Sequence, residues 1–295
     1  MPIKSFADIR GWFFWEDTVL FRDILAAQTQ PGTLVELGAF LGRSAALMGE
    51  YQKAGDRFVV VDLFGVQPED IANAAENELA YSTVDPHRFR EQFEANYLAL
   101  HPELPEIVQA LSSTVADYVE PASVRFAHID ASHLYEHVAL DLQVMRDLLH
   151  PDGVVVFDDY RAVHTPGVAA AVWEGVANHG LVPFALSPFK MYATWGDSTE
   201  HAERARRLGR TEPRMNMTEQ MILGHKVVRV EEVPAPAVKP PPPPKLSAAE
   251  LEAITEAIAA RVTQRIRGSI RPKRSRSDWA PPVLVDWVRA RRKKQ

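Results

Sequence analysis

The sequence predicts an open α/β fold, a mainly parallel sheet with helices on both faces that closes in a hairpin and is followed by a C-terminal extension. Three observations predict it. Short apolar runs alternate with segments of helical periodicity. The first strand, helix and strand fit within about thirty residues, the size of a βαβ unit. Small or acidic residues stand just beyond the apolar runs, at Gly38, Asp62, Asp130, Asp158 and Asp159, where the strand ends of such a sheet bind ligands.

Asp17 to Gln28 carries Val19, Leu20, Ile24 and Leu25 at helical spacing, and Pro31-Gly32 breaks it. Thr33 to Leu37 reads as a buried strand, Gly42 to Lys53 as a helix and Arg57 to Leu63 as a second buried strand. Val66 to Pro86 is acidic and irregular. His87 to Leu100 is a helix on Phe89, Phe93, Tyr97 and Leu100. Ile107 to Leu111 and Ser123 to Ile129 are the next strands, with a helix from Leu134 to Leu149 after them. Pro151-Asp152-Gly153 is a tight turn into a strand at Val154 to Phe157. Gly167 to His179 is a helix, and Leu181 to Leu186 with Lys190 to Trp195 forms a closing antiparallel pair. No internal repeat is present.

The main domain accordingly spans residues 1–200. Residues 201–233 are charged and mixed, a connecting segment to which the pattern assigns no fold. Residues 234–245 contain Pro240 through Pro244, a stiff polyproline II linker. Residues 246–295 open with a capping box, Ser247 to Glu250. They continue as an amphipathic helix on Leu251, Ile254, Ile258, Val262 and Ile266 and end in a basic tail with Trp279 and Trp287.

The 295 residues carry a net charge of −6 that is unevenly spread. Residues 261–295 hold twelve Lys/Arg against two acids, or +10, which leaves −16 on the 260 residues before them. An acidic body argues against nucleic-acid binding by the main domain. The tail suits docking to a protein partner or an anionic surface, or self-association; a solubilising appendage is the plainer reading. The absence of cysteine excludes a disulfide framework and a thiolate metal site. No apolar run reaches the length of a membrane span, and Met1 to Arg10 lacks a signal-peptide core, so the expected location is cytoplasmic.

Two constellations carry chemistry. In Glu36-x-Gly38-x-x-x-Gly42-x-Ser44 the first glycine permits a sharp turn and close approach of a ligand. Gly42 lets the helix start lie close, and Ser44 offers a hydroxyl. Asp62, at the end of the second strand, is placed to accept both ribose hydroxyls of a nucleoside. Glycines alone suit any α/β turn; the joint pattern with Glu36 and Asp62 points to a nucleoside cofactor. The dinucleotide fingerprint G-x-G-x-x-G is missing, and Phe40 stands where its second glycine admits a pyrophosphate. This argues against a nicotinamide-dependent oxidoreductase.

The second constellation is Asp130, Asp158 and Asp159, three carboxylates at adjacent strand ends. Such charges repel unless a cation neutralises them, and all-oxygen ligation suits Mg²⁺ or another hard divalent ion. A solvated turn or helix cap is the plainer reading of an Asp-Asp pair. His133, three residues past Asp130, has the pKa range of a general base, although capping the helix would also explain it. His128, His137, His164 and His179 read as structural or exposed.

The first segment, Val35 to Ser44, resembles motif I of the class I S-adenosylmethionine-dependent methyltransferases. Ile129 to Glu136 with Asp141-Leu142, and Pro151 to Tyr160, resemble the metal-dependent O-methyltransferase branch that includes macrocin-type sugar methyltransferases and cephalosporin hydroxylase-like proteins. The resemblance covers about residues 30–196. It implies a Rossmann-like seven-stranded sheet with the last strand antiparallel. It implies S-adenosylmethionine held by Glu36, Gly38, Gly42 and Ser44 at its methionine part, by Asp62 at the ribose and by Ser112 near the adenine. It implies Mg²⁺ on Asp130, Asp158 and Asp159, His133 as base, and a small-molecule or glycan hydroxyl as acceptor. Val66 to Pro86 departs from the pattern, so the acceptor is not readable by analogy. A non-catalytic binding or scaffold protein on the same fold is the rival from another class; the presence of Asp130, His133, Asp158 and Asp159 argues against it.

Overall fold

A computed structural model describes residues 2–65 and 88–233, together with Glu256 and Arg261. The chain divides into two units, Met1–Ala235 and Pro236–Gln295. In the second, Glu256 and Arg261 are helical and exposed. The Val66 to Pro86 segment, the polyproline linker, the Ser247 to Glu250 capping box and the basic tail lie outside the described residues.

The first unit is built on one sheet. Its strands are β1 (Thr33–Leu37), β2 (Phe58–Val61), β3 (Glu106–Val108), β4 (Val124–Ile129), β5 (Leu149–Phe157), β6 (Val182–Leu186), β7 (Met191–Thr194), β8 (Met215–Ile222) and β9 (His225–Glu232). The helices are α1 (Trp15–Ala27), α2 (Arg43–Gly49), α3 (Phe89–Leu98), α4 (Tyr135–Leu148), α5 (Pro166–Asn178) and α6 (Thr199–Thr211), with 3₁₀ turns at Phe6–Asp8 and Ser112–Asp117. The strand order is β3-β2-β1-β4-β5-β7-β6-β9-β8. Strands β1 to β5 pair in parallel, β7 runs antiparallel to both β5 and β6, and β9 is parallel to β6.

Every residue of β1, β2 and β4 is buried, as strands covered on both faces require. Alternate residues feed two cores. Leu34, Phe58, Val60, Phe126 and Val156 pack with α1, α2, α3 and α6; Val35, Val59, Ala127, Ile129 and Val155 pack with α4 and α5. The period-2 alternation thus places helices on both faces.

Three expectations change. The sheet has nine strands, not seven, among the described residues. Residues 201–233, to which the sequence pattern assigns no fold, hold most of α6 together with β8 and β9, and extend the sheet beyond β6. Pro151-Asp152-Gly153 lies inside β5 as a bulge, not ahead of it: Val124 pairs with Leu149 and Phe126 with Val154. A Cβ on Gly153 would stand 2.6 Å from the Val124 carbonyl oxygen, so only glycine lets the bulge press against β4. No helix among the described residues is long and apolar enough to cross a membrane.

Candidate active site at the carboxyl rim of the sheet

Parallel β1, β2, β4 and β5 end together, and the residues after them share one rim. The turn after β1 is pressed against β4. Gly38 has φ +82°, and a Cβ there would collide with the backbone of Asp130 and Ala131. No other residue fits this position. Asp62, just past β2, holds the turn from the other side. Its Oδ2 accepts the amides of Ala39 at 2.6 Å and Phe40 at 3.1 Å, and its Oδ1 accepts that of Phe64 at 2.6 Å. Burial raises the Asp62 pKa, and these amides oppose the rise.

A cavity of about 310 Å³ opens beside this turn. Gly38, Ser44, Asp62 and Ser112, four of the six residues expected around a cofactor, line it. The other two stand behind its wall. Glu36 is fully buried; its Oε1 accepts the Ser44 hydroxyl and lies 3.0 Å from His128 Nδ1. Gly42 has φ +90°, and a Cβ there would stand 2.9 Å from the Phe93 ring. Its lack of a side chain serves the packing of α3 on the start of α2. Sequence reasoning missed Arg10, Gly11 and Trp12, which line the cavity from the N-terminal segment. Arg43 ties that segment down by donating from Nη1 to the Gly11 carbonyl at 2.8 Å. No motif marks these residues; only the chain path brings them to the rim.

The carboxylates form two groups around a shared member. Asp130 can share a cation with His128 and Asp158, or with His133 and Asp159. The trio Asp130, Asp158 and Asp159 read from the sequence is not among these sets. Antiparallel β7 starts at the rim where its parallel neighbours end, so Lys190 arrives beside Asp158 and forms a buried ion pair with it. The ammonium also lies 3.1 Å from His128 Nε2 and 5.1 Å from the centre of the Phe13 ring. An ammonium only donates, so His128 Nε2 accepts and its Nδ1–H donates to Glu36. A continuous chain of contacts therefore runs from Ser44 at the cavity through Glu36, His128 and Lys190 to Asp158.

Burial alone would raise the Asp158 pKa, but the Lys190 ammonium overcomes it and holds the carboxyl well below the usual range. Asp130 goes the other way: burial and the Asp158 charge push it up to about 6, against the opposing pull of the nearby His133 ring. Asp159 is also raised, by burial and by Asp158. Its φ of +55° is a left-handed conformation that aspartate tolerates, and its carbonyl accepts the Thr165 hydroxyl at 2.8 Å. His133 Nε2 faces both outer acids, 3.5 Å from Asp159 Oδ2 and 3.9 Å from Asp130 Oδ1. The arrangement provides one fixed anion, one cavity-lining carboxyl with its pKa raised to about 6, and one imidazole facing that carboxyl.

Residues 35–160 match the model of a family described as a methyltransferase domain. An uncharacterized protein of Acanthamoeba polyphaga mimivirus is 27% identical over 170 residues, which cover 57% of this chain and 69% of that one. Among solved structures, the calicheamicin methyltransferase CalS11 is 24% identical with a TM-score of 0.45, over 61% of this chain and 77% of that one. The O-methyltransferase NovP is 19% identical with a TM-score of 0.47, over 61% and 78%. The family match spans the turn after β1 and the whole carboxylate rim.

Proposed function

We propose that the protein is an S-adenosylmethionine-dependent O-methyltransferase acting on a hydroxyl of a sugar, polyol or related small molecule. The observation that carries this reading is the meeting, at one rim, of the Gly38 cavity with Asp130, His133 and Asp159. Asp130 belongs to both: it lines the cavity and faces His133. A methyl donor seated in the cavity would present its reactive carbon towards this edge. Holding the acceptor oxygen in line with that carbon would supply the proximity on which displacement depends. The methyltransferase-domain match supports methyl transfer; the acceptor class follows the sequence resemblance.

His133 is the proposed base. Its two carboxylate neighbours orient the ring and stabilise the imidazolium formed as it takes the hydroxyl proton. Lys190 keeps Asp158 ionised without any added ion. The donor set without an internal cation, Asp130, His133 and Asp159, joins two carboxylates to an imidazole, which suits a borderline divalent ion such as Mn²⁺ better than Mg²⁺; Mg²⁺ would rely on the two carboxylates and water. A bound divalent ion supplies positive charge that lowers the pKa of an acceptor hydroxyl. His133 Nε2 cannot both ligate such an ion and take the proton, so chelation separates the two uses.

The test is methyl transfer from radiolabelled S-adenosylmethionine to a panel of glycosides and polyols, with and without excess EDTA. His133→Ala should lower kcat by about 10²–10⁴-fold with cofactor affinity within about threefold. Turnover unaffected by EDTA assigns His133 as base; loss restored by Mn²⁺ assigns it as ligand. Absence of cofactor binding by the folded protein would sink the methyltransferase reading. Cofactor binding without turnover on any acceptor would favour a binding protein on the same fold.

A further inference from the structure

Seven lysines and arginines lie between Thr199 and Glu232, and six of them sit against carboxylates. Arg204 and Arg207 pair with Asp23, Arg206 and Arg210 with Glu203, Arg214 with Glu232 and Lys226 with Glu219. Arg229 of β9 is the exception: it has no carboxylate partner among the described residues. Arg161, in the turn after β5, has none either.

These two arginines line one small open pocket at the end of β6, together with Ser187, Pro188 and Thr218. Thr218 stands directly across from Arg229 in the β8–β9 ladder, and Leu186 flanks Arg229 from β6. Residues paired across strands point to the same face, so the guanidinium and the Thr218 hydroxyl enter the pocket together. The Tyr160 hydroxyl, which donates to the Ser187 carbonyl at 3.4 Å, lies near both guanidinium groups. Two like charges brought this close repel unless an anion lies between them. Glu231 also lines the pocket, but its carboxylate accepts from Asn216 Nδ2 at 3.0 Å and pairs with neither arginine.

The pocket measures about 20 Å³, room for one water-sized group. It therefore takes the end of a molecule, not the whole of one. Two guanidinium forks and a hydroxyl match the three terminal oxygens of a phosphoryl group better than the two of a carboxylate. β6 runs parallel to β5, and β9 parallel to β6. The pocket thus opens on the same carboxyl rim as the acids. Arg161 is two residues past Asp159, a span of at most about 7 Å of chain.

We propose that Arg161, Arg229 and Thr218 form a phosphoryl-binding subsite, built by the two strands that extend the sheet beyond β6. Its ligand is a phosphoryl group, carried by a phosphorylated acceptor that reaches along the rim or present as free phosphate. The placing of an acceptor rests on the methyltransferase reading; the subsite itself does not.

Calorimetric titration tests it at about 0.15 M salt, where long-range attraction to the basic tail is screened. The probes are inorganic phosphate, glucose 6-phosphate and glucose, against the full chain and its Arg161→Gln, Arg229→Gln and Arg210→Gln variants. Both phosphates should bind saturably and glucose should not. Arg161→Gln and Arg229→Gln should each weaken phosphate about tenfold or more, the loss of one charge-assisted contact. Arg210→Gln, which removes an arginine already paired with Glu203, should change affinity by less than about twofold. Arg161 is exposed, so its variant carries the test if Arg229→Gln does not fold. Tighter binding of glucose 6-phosphate than of phosphate assigns the subsite to a phosphorylated small molecule; equal or weaker binding assigns it to free phosphate. No saturable binding of either phosphate overturns the proposal, as does affinity unchanged in both pocket variants or reduced equally by Arg210→Gln. These titrations contain no cofactor, so binding of S-adenosylhomocysteine, measured separately, decides the methyltransferase reading on its own.

Discussion

Lys190 carries the charge balance of the rim. Its ammonium is buried against Asp158, with Asp130 and Asp17 close enough to raise its pKa further against the effect of burial. Lys190→Met removes that charge and strands a buried carboxylate. Loss of one partner from a buried pair costs about 3–5 kcal/mol, so urea unfolding at pH 7 should show a deficit of that order. The pH dependence has a definite sign. The folded pKa of Asp158 is depressed below its unfolded value near ~3.9. The stability it contributes is therefore complete above that unfolded value and is lost as pH falls through the still lower folded one. The gap between native protein and variant should be wide at pH 6–8 and shrink as pH falls below about 4. Equal stability at pH 7 would show that the ion pair does not form. Lysine one residue ahead of a hairpin strand reads as solvent-exposed, which is why this residue is illegible in the sequence. Only the insertion of β7 between β5 and β6 turns it inward.

At the scale of elements, legibility follows how local the cause is. Thr33–Leu37 is readable to the residue because Pro31-Gly32 and Gly38 bracket a short run whose Leu34, Val35 and Leu37 are apolar and which only Glu36 interrupts. The β8–β9 hairpin is not. Its exposed side is polar, and its turn is Leu223-Gly224 instead of Asn-Gly. Both turn residues have positive φ, +47° and +85°, between the paired residues Ile222 and His225. A leucine in that conformation is strained by roughly 1–2 kcal/mol, and this one is 60% exposed and gains little from burial. Tertiary packing overrides the poor turn. Val228 and Val230 of β9 join Ala202, Ala205 and Leu208 of α6 in the core beneath α1. Leu223→Asn should therefore stabilise the protein by about 0.5–1 kcal/mol, read as a higher urea midpoint with an unchanged slope. A lower midpoint would show that Leu223 makes a contact worth more than its strain. Of the site, the glycine turn and the rim acids are legible because their residue types are dictated by backbone geometry and charge. The split of the three acids into two groups is not, because it depends on where the fold carries each side chain and on the two histidines, His128 and His133, that come beside them.

At the scale of the whole molecule, the sequence joins a body of −16 to a tail of +10. The two hydrophobic cores of the first unit are built from residues between Phe6 and Val230. A chain ending at Ala235, the boundary of the first unit, should consequently fold alone, with a Tm within about 2–4 °C of the full chain and unchanged affinity for S-adenosylhomocysteine. The tail should show itself in a different measurement. Twelve basic residues in the last 35 would attract an anionic surface at about 1 kcal/mol for each residue that reaches it. With the Debye length down to roughly 3 Å at 1 M salt, that attraction should vanish. Co-sedimentation with phosphatidylserine vesicles at 50 mM and 1 M salt, for the full chain and the shortened one, checks this. Binding by the full chain alone, and only at low salt, assigns the tail an electrostatic docking role. Equal behaviour of the two chains would remove that role and leave the tail as a charged appendage, while loss of folding on truncation would mean that the first unit is not independent.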